Sequence, residues 1–179
     1  KINKKGLLMN IGVVGTGYVG LVSGTCLSDF GHNVVCFDNN KEKIEKLNDG
    51  QIPIFEPGLE ILVQRNVKAK RLRFEPSMIG HVDDLDIIFI AVGTPSIGIN
   101  GKADLSSVFK VLEDLKDLLT KPKFLVIKST VPVGTNKNLS QFRMGKAPYL
   151  EIISNPEFLR EGSAIEDFMK PDRVIVGVR

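Results

Sequence analysis

The residues best placed to do chemistry are glycines. Gly15-Thr16-Gly17-Tyr18-Val19-Gly20 spaces three of them as G-x-G-x-x-G, the pattern in which backbone N–H groups, unobstructed by side chains, can close around a pyrophosphate. Gly15 would permit the tight turn, Gly17 would let the backbone approach the anion, and Gly20 would let a helix lie close to a strand. A helix opening here adds its positive dipole end, worth about 0.3–1 kcal/mol to a bound anion. Asp38 follows at close to the roughly 20-residue interval at which a carboxylate meets a ribose hydroxyl. Such a carboxylate would repel an added ribose phosphate by roughly 4 kcal/mol at about 4 Å and an effective dielectric near 20. The expected cofactor is therefore NAD rather than NADP. Two plainer duties stand beside this reading: the glycines as simple turns, and Asp38 as a helix cap.

Other candidates lie later in the chain. Thr94 and Thr130 each follow an apolar run, where a threonine commonly caps or turns the backbone. Glu157 and Glu161 flank Phe158, Leu159 and Arg160. By residue type alone they are solvated carboxylates on a helical turn, and Arg160 is equally an anion contact or half of a surface salt bridge. Cys26 and Cys36, the two cysteines, lie inside apolar segments and read as small buried hydrophobes.

These residues need elements to hold them. Asn10 to Val14 reads as a strand, Val19 to Phe30 as a helix stopped by Gly31, and Asn33 to Phe37 as a second strand. Asn39 or Asn40 can cap a charged helix reaching Leu47. A loop from Asp49 to Pro57 precedes a helix from Leu59 to Asn66, and a short strand follows at Leu72 to Phe74. Asp86 to Val92 is continuously apolar after its first residue, as expected of a central parallel strand covered on both faces. After a Gly- and Pro-rich loop, Gly93 to Gly101, come a helix (Leu105 to Leu119), a strand (Phe124 to Ile127), a helix (Asn136 to Phe142) and a strand (Leu150 to Ser154). A helix near Ile165 and a last strand at Val174 to Val178 complete the series. This alternation predicts an α/β fold of Rossmann type: a doubly wound, mostly parallel sheet with helices on both faces.

The bulk numbers agree with one principal domain. The chain has 179 residues, 42% hydrophobic and 25% charged, enough for one core. Its 24 basic and 21 acidic residues are dispersed, giving a net charge of +3, so nucleic acid is not an expected partner. The densest basic cluster, Lys68 to Arg73, has no aromatic interleaving and reads as a solvated helix end, with phosphate binding as the lesser alternative. The uncharged run from Ile11 to Ser28 carries five glycines and makes a poor membrane span. Sparse cysteines, without metal-ligand spacing or a disulfide framework, point to a reducing, cytoplasmic setting. Residues 1–8 are expected to be an extension outside a nucleotide-binding domain of residues 9–179.

Four later blocks resemble the UDP-glucose dehydrogenase family, within the enzymes that oxidise nucleotide sugars to uronic acids. They are Ile54-Phe55-Glu56-Pro57-Gly58-Leu59, Val92-Gly93-Thr94-Pro95-Ser96, Lys128-Ser129-Thr130-Val131-Pro132-Val133-Gly134 and Asn155-Pro156-Glu157-Phe158-Leu159-Arg160-Glu161-Gly162. The likeness covers nearly everything after Met9. It implies that Gly15, Gly17, Tyr18, Val19 and Gly20 contact NAD, that Asp38 holds the adenosine ribose with Lys43 beside it, and that Thr94 and Thr130 approach the nicotinamide half. It also implies that Glu157 through Glu161 contact the nucleotide sugar. Glu157 and Thr130 would orient the hydrolytic water, and Glu161 would lie by the nicotinamide.

The reaction so implied takes UDP-glucose to UDP-glucuronate with two NAD per turnover, as part of polysaccharide-precursor supply, through a thiohemiacetal and a thioester on a cysteine thiolate. That cysteine, and the lysine, asparagine and aspartate assisting it, have no counterpart in these 179 residues. The chain alone is thus expected to bind NAD without turning over, and a homodimer is expected only of the longer protein. The rival expectations are another nucleotide-sugar dehydrogenase, acting on GDP-mannose or an N-acetylated UDP sugar, a hydroxyacid dehydrogenase, and a non-catalytic NAD-sensing module.

Overall fold

The computed structural model describes residues 8–97, 101–139 and 149–178. Its centre is a six-stranded sheet, every pair parallel, in the order β3-β2-β1-β4-β7-β8. The strands are β1 (Asn10–Val14), β2 (Asn33–Phe37), β3 (Leu72–Glu75), β4 (Ile87–Ile90), β7 (Lys123–Ile127) and β8 (Leu150–Ser154). Helices α1 (Tyr18–Asp29), α2 (Lys41–Asn48), α3 (Leu59–Lys68) and α4 (Ser106–Lys116) lie between them, and a last helix spans Ala164–Met169.

The period-2 alternation of a strand divides its side chains between two layers. Val13, Val34 and Cys36 join Leu21, Val22, Cys26, Ile44, Leu47, Leu59, Val63 and Ala164 in one core. Val35, Phe37, Ile88, Ile90, Leu125 and Ile127 join Val108, Leu112, Leu115 and Leu139 in the other. Helices therefore cover both faces, as the apolar runs of β1, β2 and β4 require, and both cysteines are buried. No described helix is long and apolar enough to cross a membrane.

Chain order reverses at β1: β2 and β3 extend the sheet one way, then β4 returns to the other side of β1. A crevice opens at the carboxyl ends of the strands at such a reversal, which is where ligands of open α/β sheets bind. The first turn of the fold projects into it.

Two expectations are corrected. The Gly93 to Gly101 loop begins a small antiparallel hairpin, β5 (Ser96–Ile97) with β6 (Lys102–Ala103), while residues 98–100 lie outside the described set. Val174 to Val178 is not a strand: a single antiparallel bridge, Ser154 to Gly177, is all the ladder that forms. A run of β-branched residues attracts a strand reading, but a strand also needs a continuous hydrogen-bonded neighbour, and Val174, Ile175, Val176 and Val178 all stay exposed. The helix expected at Asn136 to Phe142 is present over 135–139, and its remainder lies outside the described residues.

Candidate functional site

The glycine turn is built from backbone necessity. Gly15 has φ +99°, and a Cβ there would lie 2.6 Å from the Ala91 carbonyl oxygen. A Cβ on Gly20 would lie 1.8 Å from the Gly15 carbonyl oxygen, so α1 can start this close to the turn only without a side chain. Gly17 differs: no atom lies within 4 Å of where its Cβ would be, so it faces open space. Its role as the N-cap of α1 involves no side-chain capping bond. The first-turn N–H groups, which no helix satisfies internally, thus point outward unmasked.

The turn is tied to the neighbouring strands. Gly15 N–H donates to the Phe37 carbonyl at 2.7 Å, and Ala91 N–H donates to the Val14 carbonyl at 2.8 Å. Thr16 is fully buried and donates through both backbone N–H (3.0 Å) and hydroxyl (2.7 Å) to Asp38 Oδ2. The Lys43 ammonium reaches the same oxygen at 3.2 Å, while Asn40 N–H donates to Oδ1 at 3.0 Å. Burial opposes the Asp38 charge, but these four donors together outweigh it and hold the carboxyl below the usual carboxylate range. Asn40, not Asp38, caps α2 by accepting from Lys43 N–H. Asp38 is therefore an ionised group just after β2, and among the described residues its Oδ1 accepts one hydrogen bond, from Asn40 N–H.

Val14, Gly15, Gly17, Asp38, Asn39, Lys43 and Ala91 to Gly93 line one wall of a cleft of about 960 Å³. Pro76 to Ile79 and residues on and just after α4, among them Ser106, Lys110, Asp114 and Asp117, form much of the rest. The volume lies within the roughly 300–1,000 Å³ of small-molecule sites. An elongated ligand with a central diphosphate and a ribose matches the bare glycine turn, the open helix terminus and the ionised carboxylate. The residues fit a dinucleotide.

The later candidates are placed differently. Thr94 hydroxyl donates to the Thr130 carbonyl at 2.6 Å, joining the loops after β4 and β7. Glu157 turns back on its own segment, accepting from Leu159 N–H at 2.6 Å. Arg160 is engaged by Asp167, its guanidinium 2.6 Å from Oδ1, so the surface salt bridge is what forms in this state. Glu161 and Gly162 lie with Tyr18, Ile54 and Phe55 around a second cavity of about 550 Å³. Phe158 is exposed, Val19 is half-buried, and Leu159 packs against the core beneath α1. Among the described residues no hydrogen bond joins Thr130 to Glu157 or Glu161.

Two charged residues escaped the sequence reading, although both stand in the quoted blocks. Glu56 is 6% exposed and accepts from the Tyr18 hydroxyl, from Gly162 N–H at 2.8 Å and from Ile165 N–H at 3.5 Å. Lys128 is equally buried, donates to Asn155 Oδ1 at 3.2 Å and lies 5.5 Å from the Phe168 ring centre. Burial pulls the Lys128 pKa down, and the Glu157 charge partly restores it. A charged residue next to proline or after an apolar strand was the available signal; its partners are more than 25 residues away.

Comparison with known proteins adds a family. Residues 9–179 match the model of the UDP-glucose/GDP-mannose dehydrogenase family, NAD binding domain. A UDP-glucose 6-dehydrogenase of Rhizobium meliloti is 50% identical over 172 residues, 95% of this chain and 39% of that protein. A solved UDP-glucose dehydrogenase from Pyrobaculum islandicum superposes with TM-score 0.90 at 38% identity, covering 99% of this chain and 42% of that one. A GDP-mannose dehydrogenase of Pseudomonas aeruginosa gives 0.88 at 36%, covering 96% and 41%. The chain thus spans about 39% of the length of the curated relatives it matches.

Proposed function

The chain belongs to the UDP-glucose/GDP-mannose dehydrogenase family, as its NAD binding domain, and from that premise we propose that it serves the NAD-dependent oxidation of UDP-glucose to UDP-glucuronate. One observation carries the reading: the Gly15 to Gly20 turn and the ionised Asp38 share a wall of the cleft at the β1/β4 reversal. The preference for UDP-glucose over GDP-mannose rests on the relatives' names, because the two solved neighbours fit almost equally well.

Bound NAD supplies a hydride acceptor, and taking a primary alcohol to a carboxylate uses it twice. Around it each residue has a task. N–H groups at the start of α1, from Gly17 through Gly20, hold the pyrophosphate. Asp38 Oδ1 accepts from the adenosine ribose, while Lys43 and Thr16 keep that carboxylate aimed. Thr94 fixes the Thr130 backbone at the nicotinamide end. Thr130 and Glu157 orient the hydrolytic water, Glu161 lies beside the nicotinamide, and Phe158 to Arg160 meet the nucleotide sugar. For this last task Arg160 must leave Asp167, which holds both its guanidinium and its backbone N–H. The longer protein is proposed to be a cytoplasmic homodimer.

Neither cysteine can act as the nucleophile. Cys26 and Cys36 are fully buried, and burial pushes both thiols up to about 12. These 179 residues should therefore bind NAD without sustained NADH production. UDP-glucose should bind too weakly to measure, since Glu157 and Arg160 are engaged by their own segment and Phe158 is exposed. Calorimetric titration tests this: saturable heat with NAD, at least about tenfold weaker binding of NADP, and none with UDP-glucose. No NAD binding, together with an unmoved melting temperature, would overturn it.

A further inference from the structure

The Glu56 carboxylate joins three segments distant in sequence. It lies just before α3, accepts the hydroxyl of Tyr18 at the first position of α1, and accepts N–H groups from Gly162 and Ile165 where the last helix begins. Gly162 N–H also approaches the Tyr18 hydroxyl at 3.2 Å, closing a triangle. Glu161 immediately precedes the anchored glycine, whose φ of +91° fixes how the chain enters the triangle.

A buried carboxylate without donors would be costly, and here the donors come from the two segments it separates. Burial works against the Glu56 charge, yet Tyr18 and the Gly162, Ile165 and Ala164 amides hold its carboxyl below the ordinary range. Burial and the adjoining charge push the Tyr18 phenol up to about 12, so the proton stays on the phenol and the charge on Glu56. The groups facing the pair are Glu161 from the loop and the backbone N–H groups of the last helix. The contact is a donor-satisfied latch, not a chance approach of side chains.

Tyr18 also opens α1 directly after the N-cap Gly17, so its backbone N–H is one of the first-turn donors that the helix leaves unpaired. An anion seated there draws on the first turn of α1, and the phenol at the other end of the same residue holds Glu56. We propose that Glu56 is a positioning residue that fastens the loop carrying Glu157 and Glu161 to the nucleotide turn, so that filling the turn orders the loop. The inference rests on the nucleotide-site reading above and adds a coupling between that site and the proposed substrate loop. Its sense is positive: NAD bound first would present Glu161 in one place.

Amide hydrogen exchange on the 179-residue chain, with NAD binding followed by calorimetry, tests it. In the native chain saturating NAD should slow exchange at Tyr18 to Leu21 and also at Gly162 to Ile165, the latter by roughly fivefold, as one added hydrogen bond would do. Tyr18→Phe keeps the Glu56 cap on Gly162 but cuts its link to α1. At NAD concentrations that saturate the variant, the slowing at Gly162 to Ile165 should fall below about twofold while the protection without NAD persists. Glu56→Gln should instead lose that basal protection. If NAD binds and the Gly162 to Ile165 amides do not respond, or respond equally in Tyr18→Phe, the coupling is wrong although the nucleotide site stands. If NAD does not bind the native chain, the nucleotide-site reading fails and the coupling with it.

Discussion

The glycine turn and the Glu157 to Glu161 loop are both proposed to touch ligands, yet they are made in opposite ways. The turn is over-determined: Thr16 is fully buried, Gly15 and Gly20 tolerate no Cβ, and Asp38 has four donors. The loop is held at its far end, by Glu56 on Gly162, while Glu157, Phe158 and Arg160 satisfy themselves locally or face solvent. A site that works alone must be preorganised from within. A site that needs a second wall can keep its side chains in provisional partnerships until that wall and the ligand arrive.

The contrast is broken most directly at the turn. Gly20→Ala places a methyl 1.8 Å from the Gly15 carbonyl, a backbone contact that cannot rotate away. The cost should reach about 3 kcal/mol, the upper end for overpacking, and NAD binding should be lost. Thermal denaturation and calorimetry read both, and a stable, NAD-binding Gly20→Ala would show that the turn is not the constrained half of the molecule. Asp38→Ala is the next largest. It removes a negative charge while leaving Lys43 to meet a ribose phosphate. The ratio of NADP to NAD dissociation constants should contract at least about tenfold, the part of a roughly 4 kcal/mol repulsion that survives solvent screening. An unchanged ratio would take Asp38 out of the ribose contact.

The same asymmetry explains what could be read from residues alone. G-x-G-x-x-G followed by Asp38 is legible because its constraints are local: a left-handed glycine, a helix start, one strand. The sequence bounds of β1 and β2 match the structure to the residue, since buried parallel strands are short apolar runs with abrupt ends. Val174 to Val178 misled for the complementary reason, that an apolar run says nothing about whether a neighbouring edge is there to pair with it. Glu56 and Lys128 were invisible as site-builders because their partners, Gly162 and Asn155, lie 106 and 27 residues away. Glu157 to Glu161 had meaning only through resemblance, and the structure has Glu157 and Arg160 bonded to their own neighbourhood.

Arg160 offers the smallest test and the most specific one. Its guanidinium grips Asp167, which also takes the Arg160 backbone N–H at 2.9 Å. These bonds, led by the guanidinium's, lower the Asp167 pKa to about 2. Because the folded value is depressed, the stabilisation is complete above the unfolded aspartate pKa of about 3.9 and disappears as pH falls through about 2. The Asp167 side-chain carbon, followed by NMR, should therefore titrate near 2 in the native chain, and Arg160→Ala should move that midpoint back toward the ordinary range. Lying on an exposed guanidinium, the pair should contribute little to the melting temperature. If the titration of Asp167 ignores Arg160, the arginine is not held in reserve by this partner, and the loop loses the clearest example of a provisional contact that the proposed nucleotide sugar would displace.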